Sequence, residues 1–427
     1  MHEINVLTSI KAVRKGAKEL SLLSDEERVA LLERAADALL DRCDEILSAN
    51  EIDLEESREK GIKDAILHRI ALPKEKLEST VQAMRSVGKL PCPIGKVKER
   101  RLLDEGLLLE KVTYPLGVIG MIFEARPDAM IQIISLAIKS GNGIILKGGS
   151  EAKNTNQAIA RILSDSLDGA EWMLLLSSHS DVDMMLKAEK DIDLIIPRGS
   201  NEFVRHVMEN THIPVMGHAD GICSVYIDNE ADIEKAVRVA TDAKVQYPAA
   251  CNAAETILVH RDIAAAFLPR FKESLDSYNV IIHADEETRK YIECLPASEE
   301  DYHTEYLALE IAIKVVKDID EAIEHIASHS SHHTDAIVTE NNDKIVRFFN
   351  EVDSADVFAN ASTRFADGFR FGLGAEVGIS TSKLHARGPV GLDGLTTTKW
   401  QLRGSGDIVA SYSGKNGKQF LHKELDV

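Results

Sequence analysis

A chain of 427 residues with 44% hydrophobic and 28% charged residues is long enough for two or three domains with their own cores. Its 50 Lys and Arg residues against 70 Asp and Glu residues give a formal net charge of -20, which argues against a nucleic-acid partner or an anionic membrane surface. An anionic substrate must therefore be held by positive groups concentrated at one site.

The five cysteines are widely spaced and include no CxxC pair, which disfavours both a zinc ribbon and a disulfide framework. The N-terminal stretch lacks the apolar run of a signal peptide, and no apolar run approaches the ~20 residues that span a bilayer. We therefore predict a cytoplasmic protein with reduced thiols and no membrane partner.

The N-terminal part, to about residue 90, is predicted to be helical. Ser24 followed by Glu27 is a capping box, and apolar residues recur at helical spacing from Val29 to Cys43. We predict that these helices form a layer over a sheet that follows.

Two apolar runs, split by Tyr114 and Pro115, begin near Leu107, and the first is predicted to be a separate strand that pairs elsewhere. Short apolar strands then alternate with helices in the strings GVIGMIF, GIILK, EWMLLLS, DIDLIIP and IPVMG. This alternation predicts a parallel, doubly wound sheet with ligands bound beyond the carboxyl ends of its strands.

A second block with the same alternation runs from about residue 222 to residue 360, so we predict an α/β fold with two such domains joined near Gly217 to Gly221. The last residues, from SGDIVASYSG onward, are predicted to be a polar tail.

The loop KVQYPAACNAAETILVH places Cys251 among small residues, after a helix-ending Pro248 and before a β-branched strand. A cysteine on such a constrained, partly open turn suits acyl transfer through a thioester, so Cys251 is the candidate nucleophile. The alternative is a small buried hydrophobe, which is what most free cysteines are.

A glycine-rich stretch follows Asn360, with seven glycines between Gly368 and Gly394 and with Arg364, Arg370 and Arg387 among them. This composition predicts backbone laid closely over an anion, the alternative being a long surface loop.

Three further sequence patterns bear on where the phosphate groups of a ligand could bind. The first strand-helix turn carries FEARPD with Arg126 in place of GxGxxG, which argues against the common dinucleotide phosphate loop. Gly199 and Ser200 open a helix and so offer amides to a phosphate, or simply an ordinary N-cap. Lys147 ends a strand beside two glycines, within reach of a ribose or its phosphate.

Four histidines, His325, His329, His332 and His333, are spaced so that three could share one helix face. No acidic or cysteine ligand joins them at a recognisable spacing, so we predict no metal site.

Several long strings, in this order, resemble the γ-glutamyl phosphate reductases (glutamate-5-semialdehyde dehydrogenases), a branch of the aldehyde dehydrogenase superfamily. The strings are VIGMIFEARPD, IDLIIPRGS, PVMGHADGIC, PAACNAAET, HHTDAIVT and NASTRFADGFRFGLGAEVGISTSKLHARGPVGL. The resemblance implies a Rossmann-type cofactor domain over 1–220 with a bridging strand at 101–116. It further implies an α/β catalytic domain over 221–395, and an oligomerisation strand with a C-terminal tail over 396–427.

Residue roles follow from the same resemblance. It implies that Cys251 is the nucleophile and that the Cys251 amide, together with Asn252 or Arg126, stabilises the oxyanion. The implied cofactor-binding residues are Lys147, Gly148, Ser150, Arg198, Gly199, Ser200 and Glu305. The implied substrate-binding residues are Arg126, His218, Ser362, Arg364, Gly374 and Arg387.

The activity that the resemblance implies is the NADPH-dependent reduction of L-glutamyl 5-phosphate to L-glutamate 5-semialdehyde and phosphate, the second step of proline biosynthesis from glutamate. Ser150 stands where NAD-preferring relatives carry an acid, which favours NADP. The stretch PVMGHADG lacks the water-activating glutamate of hydrolytic relatives, which favours reduction.

Two alternatives stay open: an acylating dehydrogenase that uses coenzyme A, and a scaffold without activity that binds an upstream glutamate 5-kinase. The resemblance also implies a homodimer or larger homo-oligomer, in which LLLEKVTYPLG and TTTKWQL pair between subunits. The kinase is then a transient partner.

Overall fold

The computed structural model describes residues 2–199, 201–217 and 220–427, without the side chains of residues 2–5, 65 and 179. Five helices precede the first strand, as predicted: α1 (His2–Leu22), α2 (Asp25–Asp41), α3 (Cys43–Glu59), α4 (Asp64–Ile70) and α5 (Lys74–Gly88). The predicted capping box begins α2, where the Glu27 amide donates to Ser24 Oγ and the Ser24 amide donates to the Glu27 carboxylate.

The first parallel sheet alternates strands and helices along the chain. Its elements are β3 (Val118–Phe123), α6 (Pro127–Ser140), β4 (Gly143–Gly148), α7 (Lys153–Ser166), β5 (Met173–Leu176), α8 (His179–Leu186), β6 (Leu194–Arg198) and α9 (Asn201–Glu209). The strand order is β5-β4-β3-β6, so the winding reverses between β3 and β6. The IPVMG run contributes only one parallel bridge, from Val215 to Ile195. Ligands bind at such a reversal, beyond the carboxyl ends of the strands.

Both faces of this sheet are covered. Leu32 of α2 and Met84 of α5 belong to one buried cluster with Ile131 of α6, while Val13 of α1 and Met185 of α8 belong to a cluster on the other face. The helical layer predicted for the N-terminal part is therefore confirmed.

The second sheet is also parallel and is built from longer stretches of chain. Its elements are β7 (Cys223–Ile227), α10 (Ile233–Val245), β8 (Ala254–His260), α11 (Arg261–Asp276), β9 (Ile281–Ala284), β10 (Leu295–Pro296), β11 (Glu310–Val316), α12 (Ile319–His329), β12 (Thr334–Val338), α13 (Asn342–Glu351) and β13 (Asp356–Ala359). The strand order is β10-β9-β11-β8-β7-β12-β13. Separate buried clusters lie on its two faces, one with Phe267 of α11 and the other with Phe348 of α13. The predicted α/β fold is confirmed. The predicted junction at residues 217–221 stays a prediction, and its residues 218 and 219 lie outside the described residues.

A third sheet is antiparallel and joins distant parts of the chain. Its strands are β1 (Val97–Asp104), β2 (Leu107–Pro115), β16 (Thr396–Arg403) and β17 (Lys423–Leu425). The strand order is β16-β2-β1-β17. Between β13 and β16 lies a short hairpin of β14 (Ile379–Ser380) and β15 (Gly388–Pro389).

This sheet corrects three predictions. The bridging strand predicted at 101–116 is instead a hairpin of two strands that begins at Val97. The sequence did not reveal β1 because its charged and apolar residues alternate too irregularly. The predicted polar tail supplies β17, which pairs with β1. The segments expected to pair between subunits pair with each other within one chain, from Thr396 opposite Pro115 to Arg403 opposite Leu108. Among the described helices, none combines the length and apolar character needed to cross a bilayer.

Candidate active site

A cleft of about 860 Å³ lies at the reversal point of the first sheet. Phe123 and Arg198, at the carboxyl ends of β3 and β6, form one wall, and Cys251 and Glu305, which precede β8 and β11, form another. Clefts of this size hold a drug-sized ligand, so the space suits one end of a dinucleotide together with a small acyl substrate.

Cys251 lies on two successive turns between α10 and β8. We call residues 247–253 the nucleophile turn, after the predicted role of Cys251. The Ala250 amide donates to the Tyr247 carbonyl oxygen at 3.2 Å, and the Ala253 amide donates to the Ala250 carbonyl oxygen at 2.9 Å. These bonds hold the half-buried Cys251 side chain at the cleft. The geometry favours the nucleophile over the alternative of a sealed core residue.

Three other thiols are in different surroundings. Burial raises the pKa of Cys43, Cys223 and Cys294, so these thiols stay protonated at neutral pH. The Cys223 thiol donates to the carbonyl oxygen of Cys251 at 3.3 Å and so supports the turn from behind.

Gly221 brings the two walls together, and no sequence pattern singled it out. A Cβ at this position would lie 2.2 Å from the carbonyl oxygen of Cys251 and 2.6 Å from Glu305 Oε1. Only glycine allows this close approach, so Gly221 keeps the nucleophile turn and the Glu305 carboxylate adjacent.

The Asn252 side chain is buried, and one of its two polar atoms makes a hydrogen bond. Its Nδ2 donates to the Ala366 carbonyl oxygen at 2.7 Å, and its Oδ1 has no hydrogen-bond partner among the described groups. The contact ties the nucleophile turn to the glycine-rich stretch. The remaining Nδ2 hydrogen is a donor that a developing oxyanion could use, whereas the Ala250 and Ala253 amides already donate within the turn.

Arginines line the cleft despite the acidic composition of the chain: Arg69, Arg126, Arg198, Arg364 and Arg370. Burial lowers the pKa of Arg198 and Arg364, but a guanidinium stays charged at neutral pH. Arg364 Nε donates to Gln246 Oε1 at 2.9 Å, which fixes it beside the nucleophile turn. Arg69 was not predicted, because it lies in α4, far from any motif. The cleft therefore concentrates positive charge where a phosphate can be held.

Acidic side chains also line the cleft, and one of them, Glu376, was not predicted. The Glu376 carboxylate accepts a hydrogen bond from the Gly368 amide at 2.8 Å. Burial raises the pKa of Glu376, and the positive charge of Arg198 opposes that rise.

At the start of α9, Asn201 links the two walls of the cleft. Its Nδ2 is 2.9 Å from Glu305 Oε2 and 2.8 Å from Asp220 Oδ1. Gly199, at the cleft, precedes α9, where free backbone amides are available. The predicted residues Ser200 and His218 lie outside the described residues.

Lys147, Gly148 and Ser150 lie at the end of β4 and just beyond it. Lys147 Nζ donates to the Gly148 carbonyl oxygen at 2.5 Å, and burial lowers the pKa of Lys147. Ser150 is exposed, while the Glu151 carboxylate turns away to accept from the Ala125 amide at 2.6 Å. The exposed side chain just after β4, that of Ser150, is therefore uncharged.

Three predicted substrate residues lie outside the lining of this cleft in the described part of the chain. Ser362 Oγ accepts from the Arg364 amide at 3.3 Å and so shapes the loop rather than facing the cleft. Gly374 packs against Leu90, and the Arg387 guanidinium donates to Asp353 Oδ1 at 3.0 Å. The glycine-rich stretch reaches the cleft instead through residues 364–370 and 376–379.

Asp356, which begins β13, leads to a prediction about stability. It is 8% exposed, and burial raises its pKa to about 6, above the ordinary 3.8. The folded state therefore binds more protons than the unfolded state between about pH 4 and pH 6, so stability falls as the pH rises through that window. We expect Asp356→Asn to remove a cost of up to about 3 kcal/mol above pH 6.

The measurement is the melting temperature of both proteins between pH 4 and pH 8. The gain from Asp356→Asn should be near zero at pH 4 and reach a plateau above pH 6. An equal gain at every pH would show that the Asp356 carboxyl does not titrate in this way.

Comparisons with known proteins agree with this geometry. Residues 2–290 match the model of the aldehyde dehydrogenase family. The chain is 50% identical over 418 residues to a γ-glutamyl phosphate reductase of Acetivibrio thermocellus, covering 97% of each chain. It is also 50% identical over 426 residues to a γ-glutamyl phosphate reductase of a Cyanothece species, covering 99% of this chain and 98% of the relative.

A solved structure supports the same assignment. The crystal structure of γ-glutamyl phosphate reductase from Thermotoga maritima superposes with a TM-score of 0.93 at 40% identity, over 94% of this chain and 99% of that one. The chain belongs to the aldehyde dehydrogenase family and, within it, to the γ-glutamyl phosphate reductases.

Proposed function

We propose that the chain reduces L-glutamyl 5-phosphate to L-glutamate 5-semialdehyde and phosphate with NADPH, the second step of proline biosynthesis from glutamate. The observation that carries the proposal is the half-buried Cys251, held on a turn at an arginine-lined cleft at the reversal point of a parallel sheet. Full-length relatives at 50% identity that are named γ-glutamyl phosphate reductases support the choice of substrate.

In the first step the Cys251 thiolate attacks the γ-carbonyl carbon. A carbon–sulfur bond forms, the carbon–oxygen bond to phosphate breaks, and inorganic phosphate leaves with the bonding electrons. Arg126, Arg364 and Arg370 are at the cleft to hold the leaving phosphate, since guanidinium groups bind phosphate by paired hydrogen bonds.

In the second step the chain stabilises the thioester carbonyl oxygen while it becomes negative. The Cys251 amide, Asn252 and Arg126 are the donors that we assign to this oxygen, and the three residues line the cleft. NADPH, when bound, supplies the hydride. Collapse of the thiohemiacetal anion then breaks the carbon–sulfur bond, releases the aldehyde and restores the thiolate. Glu376, one of the acidic groups of the cleft, is our candidate to pair with the α-ammonium group of the substrate.

The residues present fit a dinucleotide. Gly199 and the start of α9 offer amides to the pyrophosphate, and Glu305, fixed by Asn201, faces the cleft where a ribose would lie. Lys147 and Ser150 would hold the adenosine end, and the neutral Ser150 leaves room for a 2'-phosphate without repulsion.

Ser150→Glu should therefore change cofactor choice. We expect the KM for NADPH to rise on the order of 10-fold or more, because a second carboxylate would repel the 2'-phosphate. The KM for NADH should change little. Steady-state kinetics with both cofactors measure the effect, with Ser150→Gln as the uncharged control of the same length. A parallel rise for both cofactors would place Ser150 away from the 2'-position.

The assay that tests the proposed function runs in reverse, with semialdehyde, NADP and phosphate, followed by absorbance. Turnover should require phosphate. Turnover that needs coenzyme A and ignores phosphate would identify the acylating alternative, and no turnover with any acceptor would favour the scaffold.

We propose a homodimer that uses the outer edge of β16, since the inner edge is paired with β2 and the outer face exposes Trp400 and Leu402. A transient glutamate 5-kinase partner and a cytoplasmic location stay predictions.

A further inference from the structure

We propose a binding site for a transition-metal dication, of the Zn²⁺ class, at Glu299, His303 and His329. Glu299 and His303 begin and end one 3-10 helix, and His329 ends α12. One oxygen or nitrogen atom from each of the three side chains lies within 4.8 Å of the others. The expectation of no metal site rested on the absence of an acidic ligand near the histidines. Glu299 supplies one from thirty residues upstream.

The hydrogen bonds of His329 determine which nitrogen faces the site. Its Nδ1 is 2.9 Å from the carbonyl oxygen of His325, and a carbonyl oxygen can only accept, so Nδ1 carries the hydrogen. The other nitrogen, Nε2, then presents a lone pair to Glu299 Oε1 at 2.7 Å. A lone pair and a carboxylate this close need a cation between them, either a proton or a metal ion. Metal-binding histidines are oriented by this same kind of bond on the second nitrogen.

Ring stacking holds His329 in place. The His329 ring packs between those of His325 and His303, with centroid separations of 4.0 Å and 4.4 Å. His325 is buried and acts as a support. His303 and Glu299 are exposed, so the His303 ring can turn out of the stack to direct a nitrogen at the ion, and Glu299 can shift to make bonds of about 2.0–2.2 Å to one zinc ion.

The chemistry of the ligands indicates the class of ion. Two imidazoles and one carboxylate are a common zinc ligand set, with a fourth position left to water. Imidazole nitrogen also favours copper and nickel over magnesium or calcium, which prefer all-oxygen sites. The carboxylates of Glu300 and Asp301 on the same 3-10 helix add negative charge nearby, and Lys314 is the opposing cation.

The experiment is a Zn²⁺ titration of the full chain against a chromophoric chelator, in a Cys251→Ala background that removes the thiol at the cleft. We expect Glu299→Gln, His303→Ala and His329→Ala each to weaken Zn²⁺ binding at least 10-fold. Glu300→Gln removes the same charge one residue away, and His68→Ala removes an exposed histidine elsewhere. His68→Ala should bind Zn²⁺ like the parent, and Glu300→Gln should weaken binding far less than Glu299→Gln.

Cobalt distinguishes this site from the remaining cysteines. Co²⁺ should give visible bands of nitrogen and oxygen coordination without the near-ultraviolet charge-transfer band of a thiolate, and these bands should be lost in the three variants. Unchanged Zn²⁺ affinity in the variants, or a thiolate band, would overturn the proposal. Because His303 is exposed, His303→Ala keeps the test valid even if His329→Ala disturbs the fold, which circular dichroism would report.

Discussion

Cys251→Ala is expected to lower kcat/KM by on the order of 10⁴-fold or more, because covalent catalysis loses its nucleophile. In the described part of the chain, the other thiol that approaches the turn is that of Cys223. It is buried, has a raised pKa and donates to the Cys251 backbone, so it cannot substitute. The measurement is the phosphate-dependent reverse assay under initial-rate conditions.

The matched control is Cys294→Ala, which removes a half-buried thiol from the far part of the second sheet and should keep full activity. Mass spectrometry adds an independent readout, since semialdehyde and NADP without phosphate should leave one glutamyl adduct on the peptide that contains Cys251. A Cys251→Ala enzyme within about 10-fold of the parent would rule out the thioester, because nucleophile removal typically costs far more.

Lys244→Met is expected to cause the largest loss of stability, about 3–5 kcal/mol, because the buried Glu255 carboxyl group loses its partner and must either stay charged in an apolar site or take up a proton there. Lys244 Nζ lies 2.5 Å from Glu255 Oε2, and both side chains are fully buried below the nucleophile turn. Burial raises the pKa of Glu255 to about 8 and lowers that of Lys244, while their mutual attraction opposes both shifts. The melting temperature should fall by on the order of 10 °C.

A double variant tests the physical cause. Lys244→Met with Glu255→Leu removes both charges, so it should be clearly more stable than Lys244→Met alone. An exposed pair provides the control: Lys272→Met breaks the contact with Asp276 and should change stability by less than about 1 kcal/mol. Equal losses for the single and double variants would mean that packing, rather than the unpaired charge, sets the cost.

The predictable parts of the molecule were those encoded locally. The alternation of strands and helices identified both parallel sheets, and the position of Arg126 just after a strand placed it at the reversal point where ligands bind. Cys251 was recognisable because its small neighbours in sequence and the β-branched strand that follows are enough to predict its turn.

Features that depend on tertiary packing had no local signal. Arg69 reaches the cleft from an N-terminal helix, and Glu299 meets His329 only because a 3-10 helix packs against the end of α12. Gly221 resembled any linker glycine, since its role is a close approach between two separate segments. β2 pairs with β16 of the same chain. The pattern of side chains along a strand does not show whether its partner strand belongs to the same chain or to another subunit.

The antiparallel sheet also has a consequence for biosynthesis. The hairpin of β1 and β2 leaves the ribosome about 280 residues before β16 can join it, a delay of roughly 15–60 seconds at ordinary translation rates. Both its edges stay open during that time, and open edges invite aggregation. Lys98, Glu99, Arg100 and Arg101 on β1 place charge on the nascent hairpin, which would keep it soluble until the C-terminal strands arrive.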